Sequence, residues 1–125
     1  MSPLAWVAFI AAGAIGAPVR YLVDAAVSDR VRGNMPLGTF IVNVSGSLVL
    51  GVLTGLALYH GFPNTSRIVL GTGFCGAYTT FSTFTFETVR LAGEGLSRQA
   101  VGNALLTVFG CAGAAALGLL IAAIG

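Results

Sequence analysis

Four apolar stretches, separated by short polar interruptions, account for nearly all of the chain. They run from Leu4 to about Tyr21, from Leu37 to Tyr59, from Arg67 to Arg90 and from Arg98 to Ile124. A hydrocarbon core of about 30 Å is crossed by roughly 20 predominantly apolar residues in a helix. The pattern therefore predicts an all-α membrane protein of four transmembrane helices, with residues 1–125 forming a single transmembrane domain. Trp6, Tyr21 and Tyr59 fall near predicted span ends, where amphipathic rings settle at headgroup level.

Polar positions inside the spans are ordered. In the second span Thr39, Asn43, Ser47, Gly51 and Gly55 recur every four residues, which puts them on one slowly drifting helix face. Small residues allow close backbone approach in lipid and polar ones bond across the contact, so this face is expected to pack against another helix. Asn43 carries more than packing: an amide at membrane depth must meet a partner, water or a permeating solute. The fourth span repeats the pattern more weakly through Asn103, Thr107 and Cys111.

The first span contains Gly13, Gly16, Pro18 and Arg20, so its second half is expected to be flexible and interrupted. Arg20 either snorkels to the interface or faces a hydrated vestibule, where it concentrates anions. Residues Asp24 to Pro36, with Asp24, Asp29, Arg30, Arg32, Gly33 and Asn34 among them, are expected to form a solvated connector.

The third span is the anomaly. From Gly73 it reads GFCGAYTTFSTFTFE, with glycines three apart followed by Thr79, Thr80, Ser82, Thr83 and Thr85. A break is expected near Gly76 to Thr80. Non-helical backbone survives at membrane depth only where protein buries it or where it lines a hydrated cavity. Freed carbonyls suit a small cation, whereas freed N–H groups and hydroxyls suit an anion. Phe81 and Phe84 share a face, and their positive ring edges can contact an anion without a competing charge; ordinary core packing is the other reading. Glu87 and Arg90, near the end of the span, are expected to form a vestibule ion pair, with a gating or coupling role for Glu87 as the alternative.

Composition sharpens this picture. The chain is 56% hydrophobic and only 8% charged, and its mean hydropathy of +0.92 excludes an ordinary soluble domain. All six basic residues are arginines, and a net charge of +2 without a basic stripe excludes nucleic acid as a partner. Cys75 and Cys111 lie in apolar spans as small buried residues, giving neither a disulfide framework nor metal-ligand spacing. His60, beside Gly61 and Pro63, reads as a loop residue, and no nucleophile and base can be assembled, so no enzyme is expected. The first span lacks a basic leader and a cleavage site and is taken as part of the mature protein.

The run TTFSTF at Thr79 to Phe84, with Gly73 and Gly76 before it and Glu87 after it, resembles the Fluc fluoride channels, also called CrcB. GAPVRY at Gly16 to Tyr21 and GTFIVNVSGS at Gly38 to Ser47 are similar to that family's first- and second-helix signatures, so the resemblance spans nearly the whole chain. It implies a fluoride-selective channel that passively exports the anion, working as an antiparallel, dual-topology homodimer in the inner membrane of a prokaryotic cell. The implied fluoride pathways are lined by Asn43, Phe81 and Phe84, with Thr80, Ser82, Thr83, Asn103 and Thr107 along the polar track. Arg20 and Glu87 fall in the vestibules. A structural sodium ion is implied at the dimer centre, on the backbone carbonyls of Gly76 and Thr79.

Two other classes fit parts of the pattern. A small proton-coupled multidrug-type transporter would need an acidic residue in the middle of the first span, which has none. A structural membrane subunit would use the Ser47, Gly51 and Gly55 face to hold a partner. Against dual insertion, Arg30, Arg32, Arg90 and Arg98 lie on one predicted side and Arg67 alone on the other.

Overall fold

The computed structural model describes every residue from Met1 to Gly125, and all of its regular structure is helical. Helices α1 (Pro3–Arg30) and α2 (Leu37–Tyr59) are followed by a bent run. That run consists of α3 (Asn64–Arg67), a π-helical segment (Ile68–Cys75), α4 (Gly76–Tyr78) and, beyond the non-helical residues 79–81, α5 (Ser82–Gly93). Helix α6 (Ser97–Ile124) closes the chain. Helices α1, α2 and α6 are long and apolar enough to cross a membrane.

Helix α1 opens on Ser2, whose Oγ accepts from the Ala5 N–H at 3.1 Å, and on Pro3, which has no N–H to satisfy. The helix runs unbroken to Arg30, which corrects two expectations: an end near Tyr21 and a connector that begins at Asp24. Pro18 removes one hydrogen bond without ending the helix, because Gly16 and its neighbours are packed against the bent run. Beyond Tyr21 the charged residues ride on further helical turns that Ala25 and Ala26 favour. Only residues 31–36 remain as connector.

The interior is made mostly of small and polar groups, with Val42, Leu53, Tyr78 and Leu91 as its larger apolar members. Helices α2 and α6 share the most extensive contact. A Cβ built on Gly51 would lie 2.2 Å from the Ala115 carbonyl oxygen, one on Gly118 2.4 Å from that of Leu48, and one on Gly55 2.6 Å from Ala122 Cβ. Backbones this close leave room for hydrogen only. The four-residue stripe of α2 thus divides: Gly51 and Gly55 meet α6, while Thr39 and Asn43 turn to the bent run. Leu4, Ile10, Leu58, Phe109 and Ile124 point outward, the arrangement lipid favours.

His60 is not a free loop residue. It follows the last turn of α2, and its Nε2 lies 2.6 Å from the Ala122 carbonyl, fastening the ends of α2 and α6 together. At the opposite end, Pro36 supplies no side-chain cap to α2, and the Asp24 carboxylate of α1 sits against the first turn instead. An anion there is favoured by the exposed N–H groups and the helix dipole. A Cβ on Gly38 would fall 1.9 Å from Asp24 Oδ1. Gly38→Ala is therefore expected to lower stability by roughly 1–2 kcal/mol, read as a fall in the thermal unfolding midpoint of the purified protein.

Candidate functional site

The interruption of the bent run falls at residues 79–81, where Thr79 is extended (φ −77°, ψ 161°). Gly76 to Tyr78 are helical, so the break occupies only the C-terminal end of the expected Gly76 to Thr80 and runs one residue beyond it. Gly73 serves packing instead, together with Gly16 of α1, whereas a Cβ on Gly76 would meet nothing closer than the Gly71 carbonyl oxygen at 3.9 Å. A Cβ on Gly73 would lie 3.1 Å from the Phe9 carbonyl oxygen, and one on Gly16 would lie 2.5 Å from that of Phe74. Close approach of α1 to the π-helical segment needs both positions bare.

Tertiary hydrogen bonds hold the break open. The Asn43 side chain pairs with Thr80 as a neighbouring strand would: Nδ2 donates to the Thr80 carbonyl at 2.9 Å, and Oδ1 accepts from the Thr80 N–H at 2.8 Å. In an unbroken helix that N–H would close a turn onto the Gly76 carbonyl. Of the roles open to Asn43, the geometry displays the structural tie to a protein partner. Arg20 Nη1 donates to the Thr79 carbonyl at 3.3 Å. The Thr79 hydroxyl donates to the Cys75 carbonyl at 2.8 Å, and the Thr80 hydroxyl accepts from the Thr83 N–H at 3.1 Å, capping α5.

Beside the break lies a cleft of about 450 Å³, lined by Asn43, Gly76, Thr79, Thr80, Phe81, Phe84 and Thr107, with Cys75 and Cys111. The Phe81 and Phe84 rings are 6.0 Å apart and tilted by 52°; Phe84 is half-buried and Phe81 is 78% exposed. Within the cleft the Thr107 Oγ1 is buried and has no hydrogen-bond partner. A second cavity, of about 210 Å³, adjoins it through Thr80 and contains Arg20, Asp24, Thr39 and Thr83. A third, of about 250 Å³, continues from Asp24 to Glu87 and Arg90. The first and second meet at Thr80 and the second and third at Asp24; the first is walled largely by apolar surface and the third largely by polar groups.

Other predicted site residues are placed differently. Ser82 is exposed and lies outside these cavities, as does Asn103, which is buried and donates from Nδ2 to the Thr88 hydroxyl at 2.8 Å, tying α6 to α5. The expected Glu87–Arg90 ion pair is not formed: Glu87 accepts a 2.5 Å hydrogen bond from the Thr39 hydroxyl. Thr39 and Thr88 are the polar partners missing from the sequence-derived site. The four-residue stripe carried the signal for Thr39, one turn before Asn43.

Fold and site together define an all-helical membrane protein in which a broken helix borders a cleft that carries hydroxyl side chains. Residues 7–119 match the family described as CrcB-like protein, Camphor Resistance (CrcB). The chain belongs to the CrcB family. It is 47% identical over 119 residues, 95% of its own length and 87% of the relative's, to fluoride-specific ion channel FluC 1 of Leifsonia xyli subsp. xyli. It is 51% identical over 102 residues to FluC 1 of Nocardia farcinica, covering 82% of this chain and 69% of the relative. Against FluC 1 of Streptomyces avermitilis it is 45% identical over 114 residues, 91% of this chain and 92% of that one.

Proposed function

We propose that the protein is a fluoride-selective channel through which the anion leaves the cytoplasm passively. Its relatives' names supply the ion. The observation that carries the reading in this chain is the buried, unpartnered Thr107 hydroxyl, set in one cleft with the Phe81 and Phe84 rings. A buried polar group without a partner costs about 1–3 kcal/mol, a cost that an anion in the cleft would offset once the Thr107 side chain rotates toward it. Fluoride holds its water tightly and enters only where many donors replace that shell. The Thr107 hydroxyl and the ring edges offer attractions that are numerous and individually weak, which lets the ion leave again. A negative cell interior supplies about 2.3 kcal/mol per charge per 100 mV, so outward flow needs no pump chemistry.

The bent run forms the fourth crossing in this reading, and the working unit is an antiparallel homodimer in the inner membrane of a prokaryotic cell. Gly76, Ser82, Thr83 and Thr85 lie exposed along an edge of the bent run; the Thr83 and Thr85 hydroxyls bond within it, while the Ser82 hydroxyl and the Gly76 backbone are polar groups that lipid cannot satisfy and a second copy can. Sodium fits the same edge. The Thr80 N–H is diverted to Asn43, which leaves the exposed Gly76 carbonyl without its helical partner, and a hard oxygen of that kind suits an alkali cation. Gly76 and Thr79 would hold the ion, whose bound charge would fasten the two copies together.

Thr107→Val is expected to hold stability or raise it by about 1–3 kcal/mol, since no hydrogen bond is lost and an unpartnered buried hydroxyl is removed. Fluoride efflux should fall roughly tenfold, the equivalent of one donor. Efflux at the wild-type rate from a folded Thr107→Val protein would remove Thr107 from the pathway and this reading's main support. Reporter fusions at the C-terminus are expected to label both faces of the membrane despite the arginine asymmetry; labelling of one face contradicts an antiparallel pair.

A further inference from the structure

We propose that Arg20 is a positioning residue for the broken helix, whose guanidinium, donated to the Thr79 carbonyl, sets how strongly that carbonyl holds a cation. The proposal deepens the sodium assignment made above and rests on it.

The sequence places Gly16 and Arg20 one turn apart on the same face of α1. At Gly16 a Cβ would sit 2.5 Å from the Phe74 carbonyl oxygen and 3.2 Å from the Tyr78 nitrogen, so the bare glycine lets α1 close onto α4. One turn later Arg20 arrives at the residue that follows α4, and Nη1 reaches the Thr79 carbonyl at 3.3 Å. Gly46 presses from the other side, where a Cβ would lie 2.2 Å from Thr79 Cγ2. Thr79 is thus clamped between α1 and α2, with its carbonyl orientation fixed by the guanidinium.

That bond is the only side-chain hydrogen bond Arg20 makes. Asp24, the one carboxylate in the cavity beside it, rests against Gly38 and takes its hydrogen bond from Ser28. The arginine charge is therefore directed at backbone. A carbonyl oxygen has two lone pairs, so a guanidinium on one leaves the other for a metal ion. Thr79 also lines the larger cleft with Gly76, on the edge assigned to sodium. Two positive charges that share one oxygen repel within the protein interior, and at such short range the effect is roughly tenfold or more in binding. Arg20 accordingly keeps the carbonyl aligned when the cation is away and weakens the cation's hold when it is present.

The test uses the purified full-length protein, equilibrated in N-methylglucamine buffer and titrated with sodium, with the thermal unfolding midpoint of the assembled protein as the readout. Arg20→Gln keeps a neutral donor and is expected to move the sodium midpoint to a concentration at least about tenfold lower. Arg20→Lys keeps the charge and should stay near wild type. A sodium midpoint that Arg20→Gln leaves in place, or that Arg20→Lys moves equally, overturns the role of the arginine charge. A wild-type protein indifferent to sodium overturns the sodium assignment and the proposal together, whereas a responsive wild type with an unshifted Gln variant overturns the proposal alone. On the wild-type protein, the guanidinium nitrogen resonances of Arg20 should move as sodium is added; resonances that stay fixed refute the proposal even where no variant assembles.

Discussion

Asn43→Asp is expected to reduce fluoride efflux by about a hundredfold or more while the chain still assembles. The amide is 7% exposed and makes two bonds to the backbone of the break, donating to the Thr80 carbonyl and accepting from the Thr80 N–H. Aspartate preserves the acceptor and loses the donor, so a carboxylate oxygen would face the Thr80 carbonyl at hydrogen-bond distance. Losing a buried hydrogen bond and leaving its partner unpaired costs about 1–3 kcal/mol, and like charges across the gap add to that. The strain falls on residues 79–81, because the tightest contacts between α2 and α6 are made further along α2, from Leu48 to Gly55, and the looser one near Asn43 rests on the Phe40 and Val44 side chains. Assembly should therefore survive, as judged by size-exclusion chromatography, and the pathway should not. Efflux within about threefold of wild type would mean that the break holds its form without the amide pair.

The second large effect concerns stability. Gly118→Leu is expected to abolish folding, seen as loss of a monodisperse species after extraction from the membrane. A Cβ at Gly118 would lie 2.4 Å from the Leu48 carbonyl oxygen, 2.7 Å from the Val52 nitrogen and 3.0 Å from the Gly51 carbonyl carbon, all backbone atoms that cannot rotate away. To accept a side chain, α2 and α6 would have to separate, and with them the close contact that replaces a hydrophobic core in lipid. Overpacking costs about 1–3 kcal/mol even in cores that can adjust, and this contact has no free volume to take up. Gly113→Ala on the same helix is the control: nothing lies within 4 Å of its Cβ position, so stability should hold or rise by about 1 kcal/mol. Equal tolerance at both positions would show that α2 and α6 do not pack as described.

Span lengths were legible because lipid permits few solutions. A run of apolar residues that long has to be helical, and α2 and α6 lie close to where the hydropathy placed them. Helix α1 outran its estimate because charges end an apolar run without ending a helix, and Asp24 and Arg30 simply continue it. The break was legible in kind and narrower in position, confined to the C-terminal end of the expected window and one residue past it. Gly73 and Gly76 read as a bend, yet Gly73 serves close packing, and the interruption lies where Asn43 captures the Thr80 N–H from a helix far away in sequence. Tertiary competition of that sort leaves no local trace. The π-helical segment Ile68–Cys75 likewise has no residue signature in these apolar positions.

Candidate site residues followed the same rule. Helical spacing brought Phe81 and Phe84 to one cleft, and the weak α6 stripe supplied Thr107 there. The same stripe suggested Asn103, whose amide is instead bound to Thr88. Glu87 and Arg90 are near neighbours in sequence, and local spacing suggested an ion pair; the Thr39 hydroxyl, from α2, takes that place. Spacing within one helix identifies which side chains share a face, and it is silent on which neighbouring helix claims them.

The most direct measurement is anion efflux from liposomes that contain only the purified protein, followed with fluoride and with chloride under the same potassium gradient and valinomycin. Rapid fluoride release with chloride retained, and with no requirement for a proton gradient, is the result the channel account predicts. Equal release of the two anions, or fluoride release that stops when the proton gradient is collapsed, contradicts it.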